Sequence, residues 1–321
     1  MERYLYLYLY IYFNLIHRIS WSEIDENYIR RIVEIARAED IDGDGLKSKP
    51  QQKRDLTTDT LNPSTKGSAM LVARKEMVLC GLHLIKIILD VYTEADKEGQ
   101  CTVKLIANDG DKVQKGANIA EISGNACTII RAERIILNFI QHLSGVATLT
   151  AKYVEALGNS NSKLLDTRKT TPCFRVLEKY AVACGGAYNH RMGLFDRVML
   201  KDNHLEASDS DKSERLANAV VKARQENPNY AIEVEVDSIS QIPFVLKGGP
   251  DVIMFDNFTL DELKQGVELV GNKAWTEASG GITMETIGNI GKVGVDFISS
   301  GAMVHQSSWV DIGLDWCKQN L

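Results

Sequence analysis

From Gly158 onward the chain alternates between two hydrophobic rhythms. Short apolar runs at Lys163–Leu165, Arg197–Leu200, Ala231–Val236, Val252–Phe255, Ala274–Ala278 and Val295–Ser299 read as buried strands. Between them, Arg175–Ala183, Glu214–Gln225, Ile239–Leu246, Leu260–Val270 and Met284–Val293 read as helical segments. Strands alternating with helices call for a parallel sheet, and units this short and regular favour a small β/α barrel over a doubly wound sheet. No G-x-G-x-x-G follows the first strand, so a dinucleotide-binding fold has little support.

The first half is patterned differently. Thr128–Leu157 predicts one long helix, with Ile129, Ile136, Phe139, Ile140, Leu143 and Val146 at helical spacing. Gly145 inside it implies close packing against another element. Thr102–Asn125 predicts a β-hairpin module turning at Asn108–Asp111. Its spelling is that of half a lipoyl or biotinyl carrier domain. No lysine with an attachment signature sits at its tip, so a structural module is expected. Ala69–Lys75 and Val78–Cys80 predict strands, and Ser22 is a candidate cap for a helix running to about Ala38. Asp40–Pro50 predicts a loop; its D-x-D-G-D-G spelling lacks the closing Glu of a calcium loop. Tyr4–Ile16 is apolar and uncharged, yet shorter than the roughly 20 residues a bilayer span needs. No small-residue cleavage site follows it. Residues 1–20 are therefore expected to be an extension of unassigned role.

The 321 residues and net charge of −6 suit two domains, or a barrel plus an accessory domain. An acidic chain without a basic block is a poor nucleic-acid or membrane-surface binder. The six cysteines form no C-x-x-C pair and read as reduced thiols of a cytoplasmic protein.

Against this acidic background one stretch, Leu164–His204, is cationic. Arg168, Lys169, His190, Arg191 and Lys201 each follow a turn or a strand end. In α/β folds ligands bind at the carboxyl ends of strands, so these side chains are expected to converge on a ligand with several negative charges. Glu233, Glu235 and Asp237 alternate along one strand and so share a face, and Asp256 ends the next strand. In a barrel those acids suit Mg²⁺ or sugar hydroxyls. Ser279-Gly280-Gly281 and Ser300-Gly301-Ala302 end late strands, where small residues let backbone N–H groups approach a phosphate. One half of the site is thus cationic, the other acidic with phosphate turns, which suits transfer of a phosphorylated sugar onto an anionic acceptor. The histidines lack zinc-ligand spacing, and no Ser-His-Asp arrangement is visible.

DTRKTTP from Asp166, LEKYAV, NHRMGL, KDNH, EVEVDS, DNF, SGGI and SSGA follow one another in order. In that order they resemble the quinolinate phosphoribosyltransferase family, over about Asp55 to Trp316. The resemblance implies an N-terminal α/β sandwich domain (residues 21–130) and an incomplete-type α/β barrel (131–304). A tail at 305–321 would return to the first domain. It implies quinolinate and phosphoribosyl pyrophosphate as substrates, Mg²⁺ as cofactor, and nicotinate mononucleotide, pyrophosphate and CO₂ as products. It implies a homodimer with a shared active site, and admits a hexamer of three dimers. By motif, Arg134, lent by the partner subunit, with Thr167, Arg168, Lys169, His190, Arg191 and Lys201 would contact quinolinate and pyrophosphate. Glu235 and Asp256 would serve the ribose and the metal, and the two Ser-Gly turns would serve as phosphate loops. Lys169, Glu235 and Asp256 would be catalytic. The chain departs from the pattern at Cys173-Phe174, where a small-residue turn is usual, and in an insertion at Ile41–Lys53.

Overall fold

The structure is a computed structural model that describes residues 15–97, 99–201 and 212–317. Most of the Tyr4–Ile16 run, and Asp202, Asn203 and His204 of the KDNH motif, lie outside the described residues. The chain divides into two compact units, residues 20–149 with 307–321, and residues 1–19 with 150–306.

The first unit opens with helix α1 (Glu26–Asp42), capped by Asp25, whose carboxylate accepts from the Asn27 N–H at 3.0 Å. Ser22 lies instead in a single 3-10 turn (Trp21–Glu23) begun by Ser20. Strands β1 (Lys66–Ala73) and β2 (Met77–Val78) precede α2 (Leu84–Asp96), and β3 (Thr102–Leu105), β4 (Lys112–Val113) and β5 (Asn118–Asn125) lead to α3 (Ala126–Leu157). The antiparallel sheet runs β12–β1–β5–β3, with β12 being Ile312–Trp316 from the far end of the chain. The predicted hairpin is the β3–β5 pair; β4 leaves it to pair with β2. Ala69 and Leu71 of β1 and Ala120 and Ile122 of β5 are buried partners across the sheet. Gly145 packs on the 307–321 segment so closely that a Cβ would overlap the Ser308 carbonyl.

The second unit contains β6 (Lys163–Leu165), α4 (Arg175–Cys184), β7 (Val198–Leu200), α5 (Lys212–Glu226), β8 (Ile232–Val236), α6 (Ile242–Gly248) and β9 (Val252–Asp256). It continues with α7 (Leu260–Val270), β10 (Trp275–Ser279), α8 (Ile287–Gly291), β11 (Phe297–Ser299) and α9 (Ala302–His305). Its six strands are parallel in the order β6–β11–β10–β9–β8–β7. No β6–β7 pairing closes the ring among the described residues. In its place Tyr188 bridges Leu165, and Asn189 bridges His17. The alternation of strands and helices predicts a small β/α barrel, and its incomplete form is the one that the family resemblance implies.

Two expectations about the division of the chain change. The boundary falls at Leu149/Thr150 rather than after residue 130, because α3 is one unbroken helix whose residues belong to both units. Residues 15–19 are part of the barrel: Leu15, with 1% of its surface exposed, joins a cluster with Leu165, Val252, Trp275 and Phe297.

Candidate active site

A cavity of about 470 Å³ lies at the carboxyl ends of the barrel strands. Thr167, Arg168, Lys169, His190, Arg191, Lys201, Glu235, Asp256 and Ser279 line it, together with Met199, Met254 and Ser299. The strand period explains the grouping. Glu235 pairs in register with Met254, and Asp256 with Ser279, so these residues face the lumen in successive layers.

The cationic rim is fixed by the turn after β6. Glu178 of α4 accepts from the Thr171 N–H at 2.8 Å and its hydroxyl at 2.7 Å, and Arg175 donates to the Thr170 hydroxyl at 3.2 Å. Thr167 accepts from the Lys169 N–H at 3.0 Å. Cys173 sits in this turn at φ +66°, a left-handed conformation costly for a side chain, which explains why a smaller residue suits the position. The Arg168 Nε is buried and has no hydrogen-bond partner among the described residues. A buried donor facing a cavity in this state is built for an anionic acceptor.

His190 and Arg191 follow the Tyr188–Asn189 bridge. Beneath them lies a group only partly anticipated from sequence. His190 Nε2 is 3.3 Å from Glu233 and 3.5 Å from Glu277, and Arg197 Nη1 is 2.8 Å from Glu233 and 3.2 Å from His190 Nε2. Burial pushes the Glu233 carboxyl up, but His190 and Arg197 outweigh it and hold the pKa at about 2. Burial and Arg197 pull the His190 imidazolium down, yet Glu233 and Glu277 outweigh both, and its pKa lies above the usual value. Both Glu277 oxygens are buried without a hydrogen bond among the described residues. Glu277 shares a lumen face with Ser279 two residues on, the one signal in the sequence that could have singled it out. Arg197 was legible only as the start of a strand.

Deeper still, Asp166 and Lys179 form a fully buried ion pair. Burial pushes Asp166 up and Lys179 down, each opposed by the other's charge. Asp166 also accepts from Asn189 Nδ2 and from the His190 N–H, each at 2.8 Å, which favours the carboxylate.

The remaining predicted residues fall as follows. Lys201 is ion-paired with Glu235, and Asp256 accepts from Asn257 Nδ2 at 2.8 Å. Asp237 lies beyond the end of β8, is exposed, and does not line the cavity. Gly280 and Gly281 take φ of +85° and +60°; they line a neighbouring cavity of about 180 Å³ that shares Ser279. Ser300 is buried, and its N–H donates to Leu165. Gly301 backs onto the rim, where a Cβ would come within 3.0 Å of Lys169 and Thr167. The helices after the two turns, α8 and α9, are a turn or so long and add little dipole field. Arg134 is exposed on α3 and is not among the residues lining the barrel cavity.

The oxygens of Glu235 and Asp256 match the one or two carboxylates that Mg²⁺ takes alongside substrate phosphates. His190, Glu233 and Glu277 also form a three-donor group. Arg197 already supplies the cation there, so that group does not fit a metal.

A parallel barrel with cations on one side of its strand-end cavity, and carboxylates and glycine turns on the other, defines an enzyme that handles phosphorylated, polyanionic substrates. The chain belongs to the quinolinate phosphoribosyltransferase family: the N-terminal domain model matches residues 55–144 and the C-terminal domain model residues 146–315. It is 40% identical over 267 residues, 83% of this chain and 89% of the relative, to a probable nicotinate-nucleotide pyrophosphorylase (carboxylating) of Bacillus subtilis. It is 38% identical over 265 residues, 77% of this chain and 73% of the relative, to the chloroplastic nicotinate-nucleotide pyrophosphorylase (carboxylating) of Arabidopsis thaliana. Among solved structures, the nicotinate-nucleotide pyrophosphorylase of Francisella tularensis aligns with a TM-score of 0.79 at 36% identity, covering 92% of this chain and 98% of that one.

Proposed function

We propose that this chain transfers the phosphoribosyl group of phosphoribosyl pyrophosphate to quinolinate with decarboxylation, giving nicotinate mononucleotide, pyrophosphate and CO₂, a step of NAD biosynthesis. The observation that carries the reading is the convergence of Arg168, Lys169, His190, Arg191 and Lys201 on one cavity with Glu235 and Asp256. A di-acid and a pyrophosphate together need that many cations; a mono-acid acceptor needs fewer.

Arg168, with its unpartnered Nε, His190 and Arg191 would hold the two carboxylates of quinolinate. Lys169 and Lys201 would meet the pyrophosphate. The ribose C1–O bond breaks with its electron pair leaving on pyrophosphate, and the Glu235 and Asp256 carboxylates stabilise the positive charge that develops on the sugar. The quinolinate ring nitrogen then bonds to C1 and becomes cationic. That charge lets the bond to the 2-carboxylate break, its electron pair staying on the ring carbon until a proton replaces it. Glu235 and Asp256 would hold Mg²⁺ together with the substrate pyrophosphate, and the ion would supply charge neutralisation of the leaving group. Ser279 and the two glycine turns would receive the 5-phosphate. A homodimer, in which the partner's Arg134 completes the di-acid site, belongs to this reading, as does a hexamer of three dimers; an exposed arginine outside the cavity lining supports the first. The reading also includes a cytoplasmic setting. No described helix is long and apolar enough to cross a membrane.

Arg168→Ala tests the assignment. A charge-assisted hydrogen bond left without its partner is worth about 1.5–3 kcal/mol, so kcat/KM for quinolinate should fall by about tenfold or more. Unchanged steady-state kinetics in that variant would refute it.

A further inference from the structure

The family models begin at residue 55, yet the barrel contains residues 15–19. We infer that Leu15–Ile19 is a positioning strap for the active site, which sets His190 through Asn189 and Arg197. The inference rests on the reading of His190 as a quinolinate contact.

The strap reaches both neighbours of the imidazole. On one side, the His17 carbonyl accepts from the Asn189 N–H at 2.7 Å, and the Ile19 N–H donates to Asn189 Oδ1 at 2.8 Å. The other end of the same amide, Asn189 Nδ2, donates to Asp166 at 2.8 Å and to the Lys179 carbonyl at 2.9 Å. Asp166 in turn accepts from the His190 N–H at 2.8 Å, and Lys179 Nζ donates to the His190 carbonyl at 3.0 Å. The backbone of His190 is therefore held by the buried pair that Asn189 clamps. On the other side, Arg197 Nη2 approaches the Leu15 carbonyl at 3.4 Å, while its Nη1 contacts His190 and Glu233. Arg18 ties the strap down, donating to the Ala187 carbonyl at 3.0 Å and stacking 4.0 Å over the Tyr188 ring. The bonds from Ile19 to Asn189, and from Asn189, Asp166 and Lys179 onward to His190, are buried, so losing one is not made good by water.

Ile19→Pro removes the N–H that orients the Asn189 amide, and Ile19→Ala keeps it while deleting the side chain. Ile19→Pro in the full-length protein should raise the KM for quinolinate by about fivefold or more, leave the KM for phosphoribosyl pyrophosphate unchanged, and leave Ile19→Ala close to wild type. If Ile19→Pro does not yield folded protein, Arg18→Ala against Arg18→Lys gives the same comparison, with the lysine variant retaining part of the effect. A loss of kcat proportional to the fraction of titratable active sites, with both KM values unchanged, would mean a merely structural segment and overturn the inference. His190→Ala is the control for the underlying reading. No change in quinolinate KM there overturns that reading, whereas a change there but none in Ile19→Pro and Arg18→Ala overturns only the strap.

Discussion

His190 shows how much a single residue here depends on its surroundings. Its ring faces Arg197, Glu233 and Glu277, and its backbone is held by Asp166 and Lys179. Because the folded-state pKa is raised, the stabilisation from its protonated form is fully present below pH 6.5 and is lost as pH rises through the folded value. Glu277→Gln removes one of the two carboxylates that sustain the raised value. The alkaline limb of the pH profile of kcat/KM for quinolinate should move to lower pH. The melting-temperature advantage of wild type over the variant should narrow as pH rises above 6.5, since wild type is then left with a buried carboxylate that has lost its partner. Superimposable pH profiles would show that Glu277 does not set the charge of His190. At this scale the site was legible where charge follows a strand end, as with Arg168, Lys169 and Lys201. Arg197 was not, since a lone arginine opening an apolar run carries no signal that tells a lumen residue from a surface one, and Glu277 had only its two-residue spacing to Ser279 to mark it.

At the scale of elements, short apolar runs and period-3.6 patterns located the six barrel strands and helices α4 to α8 to within a few residues, while the four-residue α9 was not read from the sequence. The exceptions have physical causes. Ile239–Leu246 reads as one helix but is a 3-10 turn capped by Ser238 and Gln241, followed by α6, because that capping box starts a tighter turn first. The pairing of β12 with β1, and the insertion of residues 15–19 beside Asn189, join segments far apart in sequence, and no local pattern announces them. Gly145 in α3 was legible as a close approach, and its partner is the Ser308 backbone. Gly145→Ala gains about 1 kcal/mol of helix propensity. Overpacking against a backbone carbonyl that cannot rotate away costs about 1–3 kcal/mol. The clash should win, so the variant should melt at lower temperature in thermal denaturation; an unchanged or higher melting temperature would mean that the 307–321 segment yields.

For the whole molecule, each compact unit is assembled from two separate pieces of chain, and α3 contributes to both. Composition and charge excluded several kinds of protein but did not show this interleaving, which depends on contacts over most of the chain length. The proposed dimer gives Arg134 a role that one chain's cavity does not. Arg134→Ala and Lys169→Ala should each be nearly inactive alone. Mixed after reversible dissociation, they should regain up to about a quarter of wild-type activity, because a mixed dimer with shared sites has one site free of both substitutions. No regain in mixtures shown to exchange subunits would place Arg134 outside the site.

The central claim is that this cavity joins quinolinate to the phosphoribosyl group and releases CO₂. Purified protein would be incubated with phosphoribosyl pyrophosphate, Mg²⁺ and either quinolinate or nicotinate, and mononucleotide, pyrophosphate and CO₂ quantified together. The account predicts equimolar mononucleotide, pyrophosphate and CO₂ from quinolinate and negligible product from nicotinate. Mononucleotide from nicotinate without CO₂, or no product from either acid, would contradict it.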